Sequence, residues 1–271
     1  MSPLAKLRRA LVYLALGIAA FVSVFPFYWM VAGATNTTTD INIGKATFGS
    51  ALLENVVNFF TQINAPLVFY NSAKLAILGT IFTLIISSLA GYGFEIFRSR
   101  SREKIFAVLL VLLSIPFAAM MVPLFMLMAR LGLMNTYTAI LLPSIASIFI
   151  IFYFRQSSKA FPTELRDAAR IDGLKEWQIF LYIYVPVMRS TYAAATIIIF
   201  MANWNAYLWP LLVIQTSDKQ IITLVISSLA SAYTPDFGVV MVGTVLATLP
   251  TIAVFFFLQR RFVEGLLGSV K

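Results

Sequence analysis

The sequence predicts an all-α integral membrane protein with six transmembrane helices and both termini in the cytoplasm. Three observations carry that prediction. Of the 271 residues, 60% are apolar and only 11% are charged, where a soluble domain carries about 25% charged residues. Mean hydropathy is +0.88. Six apolar stretches are long enough to cross a bilayer, and the basic residues gather in alternate gaps between them.

A hydrocarbon core of about 30 Å needs roughly 20 apolar residues at 1.5 Å rise each. The first such stretch covers 10–32 and contains Pro26, which neighbouring helices can accommodate. At about 22 residues it exceeds the h-region of a cleaved signal peptide, so it is expected to stay as a helix. The second stretch covers 72–94, with Lys74 and Glu95 near its ends, where long side chains reach water. The third covers 105–128, the shorter fourth 138–154, the fifth 191–214 and the sixth 237–258. Prolines 116, 123, 143, 210 and 250 fall within the last four. They suit either kinks that line a cavity or ordinary membrane-helix positions. The apolar segment 221–232 is too short to span and reads as a re-entrant or interfacial piece outside the membrane.

Charge then sets the topology. Sixteen of the 20 Lys and Arg residues lie before the first stretch, in the gaps 95–104 and 155–189, or after the last stretch. The other gaps carry no net charge. By the positive-inside rule the basic gaps face the cytoplasm. The pI near 9.9 is therefore a topology signal and not a nucleic-acid footprint.

Composition also removes chemistry. With no His and no Cys there is no Ser-His-Asp triad, thiolate nucleophile, disulfide or His- or Cys-ligated metal. No phosphate-cradling G-x-x-x-x-G-K-[ST] run occurs, and Gly91 and Gly93 read as close helix-packing positions. The span centres hold no ionisable residue of the kind that drives proton or sodium coupling. An enzyme is therefore not expected, and the energy source is expected to lie outside the lipid.

The gap 155–189 is the informative loop, with ten charged residues in a periodic pattern. Pro162 and Thr163 open a helix whose first turn carries Glu164 and Asp167, where the dipole favours acids. The small pair Ala168 and Ala169 follows, and Gly173 suits the left-handed residue that ends a helix. Trp177, Phe180, Leu181 and Tyr184 then recur at helical spacing, and Pro186 closes the segment. A docking element and a loop lying on lipid headgroups both fit this pattern.

The run Asp167-Ala168-Ala169, three residues, Gly173, nine residues, Ile183-Tyr184-Val185-Pro186 resembles the EAA loop of permeases of binding-protein-dependent ABC importers. All spacings match; Asp167 stands for the usual Glu and Val185 for the usual Leu. Other runs resemble the carbohydrate-uptake subgroup that includes the smaller maltose-type permease subunit. These are Phe25–Trp29, Asn71-Ser72, Gly132–Tyr137, Trp204–Pro210 and the closing Arg260–Gly265.

The resemblance implies a type I ABC importer permease fold, with an N-terminal helix at 1–34 and an outer loop at 35–70. The transmembrane domain would cover 71–262, with its coupling loop at 155–189, and a cytoplasmic tail would follow at 263–271. It further implies that Asp167, Ala168, Ala169 and Gly173 contact a cytoplasmic ATPase dimer, which binds the ATP. This chain would hold no cofactor of its own. The other implied partners are a second homologous permease subunit, an extracytoplasmic sugar-binding protein and membrane lipid. Asn203, Trp204, Asn205 and Tyr207 are candidates for a sugar path, since amides bond hydroxyls and aromatics stack on sugar faces. Trp204 also suits an outer aromatic belt, as does Trp209, and the two Asn residues also suit interhelical hydrogen bonds. An ATP-independent channel or a secondary carrier is the alternative reading.

Overall fold

The computed structural model describes the backbone of residues 3–268 and the side chains of 7–260. Lys6, the closing motif from Arg261 onward and the tail at 263–271 therefore lie wholly or partly outside the described residues. The elements in order are α1 (Pro3–Ala34), α2 (Thr38–Asn42), α3 (Leu52–Gln62), α4 (Ala65–Ile96), α5 (Arg100–Leu113) and α6 (Phe117–Arg130). Next come α7 (Tyr137–Leu141), α8 (Ile148–Ser158), α9 (Thr163–Ile171) and α10 (Glu176–Ile179). A π-helical turn, Phe180–Tyr184, leads into α11 (Val185–Val187) and α12 (Arg189–Trp204). The chain ends with α13 (Leu208–Val213), a 3-10 turn at Ser217–Lys219, α14 (Ile222–Ala230) and α15 (Phe237–Gly268). No strand occurs among the described residues.

Among the described residues, three segments are long and apolar enough to cross a membrane as single helices: Leu7–Ala34, Ala65–Ile96 and Phe237–Arg260. Pro26 and Pro250 sit inside α1 and α15 without ending them. The stretch expected at 105–128 is instead two helices, α5 and α6, bent by 101°. Pro116 is the physical reason: it lacks an amide hydrogen, takes an extended ψ of 136° and disfavours helix at Ile115. The stretch 138–154 is α7 and α8 with turns between them that contain Pro143. The stretch 191–214 divides into α12 and α13 around Asn205–Tyr207. The segment 221–232 contains the short α14, whose Ile222, Leu224 and Val225 are buried.

The chain divides into two compact units. One comprises Met1–Ala65 with Val225–Leu249. In it, the most apolar stretch of α1 is unburied within the chain, while its last residues, Ala32 and Ala34, are buried. The end of α1 is pinned by Asn55, whose amide donates to the carbonyls of Ala34 and Asn36 at 2.9 Å each. Asp236 caps α15, its Oδ1 accepting from the Gly238 amide at 3.1 Å and from Thr38 Oγ1 at 3.0 Å.

The other unit comprises Pro66–Leu224 with Pro250–Lys271. One of its cores gathers Leu75, Met128, Ile140, Trp209, Val213 and Leu224. The Ser72 hydroxyl accepts from the Ile222 amide at 2.8 Å, which ties the start of α4 to α14. At the opposite end of α4, Glu95 does not reach into water as its position near the span's end predicts. It is buried and paired with Arg155 at 3.5 Å and with Arg98. Arg155 also pairs with Glu103 at 2.5 Å, and its guanidinium lies 3.9 Å from the Phe106 ring centre. A buried guanidinium is tolerable here because two carboxylates and a ring face receive it.

Candidate coupling loop and membrane cavity

The loop folds from local rules. Pro162 sits at the N-cap of α9, and Glu164 and Arg170 occupy its first and last turns, each matching the dipole. Gly173 has φ +81°. Its amide donates to the Arg170 carbonyl, and the Leu174 amide donates to the Ala169 carbonyl, both at 3.0 Å. That pair of bonds is a complete Schellman closure, which a left-handed residue makes possible. A Cβ on Gly173 would meet nothing within 4 Å. The requirement for glycine is thus conformational within this chain.

The four residues that the EAA resemblance marks do not all face one way. Glu164, Asp167, Ala168 and Ile171 share the i, i+3, i+4, i+7 face of α9 and are all exposed, Ile171 at 87%. Ala169 lies on the opposite side and is buried, so its small side chain serves packing within this chain.

The expected stripe of Trp177, Phe180, Leu181 and Tyr184 is split. Phe180 and Tyr184 are buried, whereas Trp177 and Leu181 are about half exposed. The π-helical turn is the cause, because i→i+5 bonding advances fewer degrees per residue than an α-helix. It turns Ile179, Phe180 and Tyr184 inward together. Tyr184 shares a 2.6 Å hydrogen bond with Ser158 and packs 4.7 Å from Tyr92 of α4, ring centre to ring centre. Phe161, Phe180 and Met188 complete a mainly aromatic nest on the C-terminal end of α4.

Glu176 joins α9 to this nest. Its Oε1 accepts from Arg170 Nε at 2.7 Å and from an Arg166 terminal nitrogen at 3.2 Å, while its Oε2 accepts from the Tyr92 hydroxyl at 3.4 Å. The Arg166 guanidinium also lies 4.9 Å from the Phe97 ring centre. Desolvation opposes ionisation of Glu176, but the two guanidinium groups outweigh it and hold the carboxyl below the usual range. Sequence reasoning missed this cluster. Its local signal is two arginines at i and i+4 followed by an acid past the turn.

Within the same unit, a cavity of about 950 Å³ opens between α4, the α5–α6 elbow, the α7–α8 turns and the end of α12. Its lining is mainly apolar, with a few polar groups that include Ser144, Asn203, Asn205 and Tyr207. The Asn203 amide nitrogen is buried and has no hydrogen-bond partner within the chain. It approaches so closely that a Cβ on Gly79 would fall 2.7 Å from it. Asn205 instead caps α12 by donating to the Met201 carbonyl at 2.9 Å. Trp204 does not line the cavity. It is buried, stacked on Phe200 with ring centres 5.8 Å apart. Trp209 is likewise buried and donates to the Ala139 carbonyl at 2.9 Å, so both indoles face the protein interior and form no outer belt.

Long apolar helices, a half-exposed amphipathic helix closed by a glycine turn, and a largely apolar cavity fit the class of membrane-embedded transport permeases. The family model described as "Binding-protein-dependent transport system inner membrane component" matches residues 88–267, and the chain belongs to that family. It is an inner-membrane permease subunit of an ATP-driven importer and not an enzyme. It is 67% identical to the lactose transport system permease protein LacG of Rhizobium radiobacter, over 96% of this chain and 95% of that one. It is 32% identical to the arabinooligosaccharides transport system permease protein AraQ of Bacillus subtilis, over 100% and 98% of the two chains. The fold matches a crystal structure of a bacterial ABC transporter involved in import of the acidic polysaccharide alginate. That match has a TM-score of 0.86 at 19% identity and covers 97% of this chain and 99% of that one.

Proposed function

We propose that the chain imports a small carbohydrate of the lactose type, as one half of a two-permease path that crosses the membrane six times with both termini cytoplasmic. The 67% identity to a lactose permease supports the sugar class. The alternating basic gaps support the topology.

Under this reading α9 is the coupling helix. The observation that carries it is the exposed face of Glu164, Asp167, Ala168 and Ile171, presented on a helix that Gly173 ends sharply. Asp167 would meet a basic or donor group in a groove of the ATPase dimer, Ala168 would allow close approach, and Ile171 would fill an apolar pocket. Ala169 and Gly173 would set the angle of the helix. ATP is bound and hydrolysed on the ATPase, and closure of that dimer drives the two permeases between inward- and outward-facing states. An extracytoplasmic binding protein delivers the sugar. Asn203 and Tyr207 line this chain's share of the path, and the Asn203 amide nitrogen has no hydrogen-bond partner within the chain.

The test is capture of the tagged chain from its native membrane in mild detergent, followed by reconstitution and uptake of radiolabelled lactose. A second permease, a nucleotide-hydrolysing subunit and lactose uptake that depends on ATP are expected. Recovery of the chain alone, from membranes whose other complexes survive, would overturn the reading. ATP-independent flux would point to a channel or carrier instead.

A further inference from the structure

We propose that Glu176 is a positioning residue that locks α9 to the cytoplasmic end of α4, so that the docking helix and the long membrane helix move as one body. The proposal rests on the coupling-loop reading and adds to it the element through which movement leaves the loop. Covalently, α9 is held at one end by the turn at Gly173 and at the other by Pro162. Gly173 has open space around its Cα and a left-handed φ. The Schellman bonds fix that turn, but among the described residues no backbone hydrogen bond ties α9 to α4.

The carboxylate of Glu176 supplies the missing constraint. It receives both arginines of the inward face of α9 and the hydroxyl of Tyr92 on α4. Arg166 reaches α4 a second time, because its guanidinium lies over Phe97, one residue past the end of that helix. Tyr92 is itself wedged among Phe180, Tyr184 and Phe97, with ring centres 4.7–6.0 Å apart. A force on α9 thus meets charge-assisted bonds and then packed rings. Such links have discrete arrangements rather than continuous give. An isolated surface ion pair contributes little, but this carboxylate is shared by two cations that would otherwise face each other across one turn of helix.

The chain contains no cysteine, so two introduced cysteines can be spin-labelled without interference. Arg98→Cys marks the end of α4, and Leu165→Cys marks α9 outside its exposed docking face; both sites are exposed. Distances are measured by pulsed electron resonance in the complete complex in lipid nanodiscs, nucleotide-free and trapped with ATP and vanadate. With Glu176 present, one narrow distance is expected in both states. With Glu176→Gln, the ATPase is expected to remain bound, and the distance should shift or broaden on ATP binding, with Glu176→Asp intermediate. A purely structural clasp would broaden both states equally, and that outcome would overturn the proposal. So would a Glu176→Gln distance that ignores nucleotide, or loss of the ATPase from that variant. The coupling-loop reading has its own arm. If Asp167→Arg leaves ATPase capture at the wild-type level, that reading fails whatever Glu176 does.

Discussion

Gly91 lies directly against Phe154: a Cβ placed on Gly91 would stand 2.5 Å from the Phe154 Cβ and 2.9 Å from the Arg155 amide nitrogen. The backbones of α4 and α8 therefore touch at this point, as close membrane-helix pairs with small residues do. The contact also delivers Arg155 to Glu95 and Glu103. Gly93, two residues on, has nothing within 4 Å of a Cβ.

The two glycines should consequently respond in opposite directions. Gly91→Ala must part the helices and should destabilise the protein by about 1–3 kcal/mol, the usual range for overpacking. Gly93→Ala gains helix propensity without a clash and should stabilise by up to about 1 kcal/mol. Thermal unfolding of the detergent-solubilised protein, followed by loss of the monodisperse peak, measures both. Equal effects at the two positions would refute the close-contact account.

Removing Arg155 leaves Glu95 buried with only the exposed Arg98 beside it. Arg155→Met should cost about 3 kcal/mol, the low end for breaking a buried pair, because Arg98 still offsets the charge. The double variant Arg155→Met with Glu95→Gln should recover part of that loss. The same unfolding assay reads the difference, and no recovery would mean that the cost is packing against Phe106.

Gly173 separates backbone from docking. Gly173→Ala places a Cβ residue at φ +81° in open space and should cost about 1–2 kcal/mol of local strain, with little effect on ATPase capture. Gly173→Trp carries the same strain and adds a large side chain beside the proposed docking face. It should reduce copurifying ATPase at least tenfold. If Ala and Trp behave alike, strain alone governs the loop.

Asn203 tests the cavity. Its amide nitrogen makes no hydrogen bond within the chain, so Asn203→Ala should leave assembly and thermal stability near wild type while lowering lactose uptake several-fold. Gly79→Ala, by contrast, pushes on Asn203 and Leu141 together. It should reduce stability as well as uptake. An Asn203→Ala variant with unchanged uptake would remove this residue from the path.

Much was legible from sequence because its physical cause is local. Apolar stretches of about 20 residues mark membrane helices whatever their neighbours, and α1, α4 and α15 form where the hydropathy places them. Gly173 and Pro162 bound α9 because left-handed and proline geometries act within one turn. What tertiary structure decided depends on partners far apart in the chain. Hydropathy cannot see the right-angle break before α6, since a proline ends one membrane helix and is absorbed in another. Periodicity misassigned the stripe from Trp177 to Tyr184, because the π-helical turn at Phe180–Tyr184 breaks the α-helical spacing that such a stripe assumes. The clasp of Glu176 and the burial of Arg155 were invisible for the same reason: a charge near a span's end reads as solvated until distant residues enclose it. Sequence determined which segments are apolar enough to span as single helices and where the loop turns. Only the folded chain decided which charges are enclosed, because enclosure is set by side chains that meet in space and not along the chain.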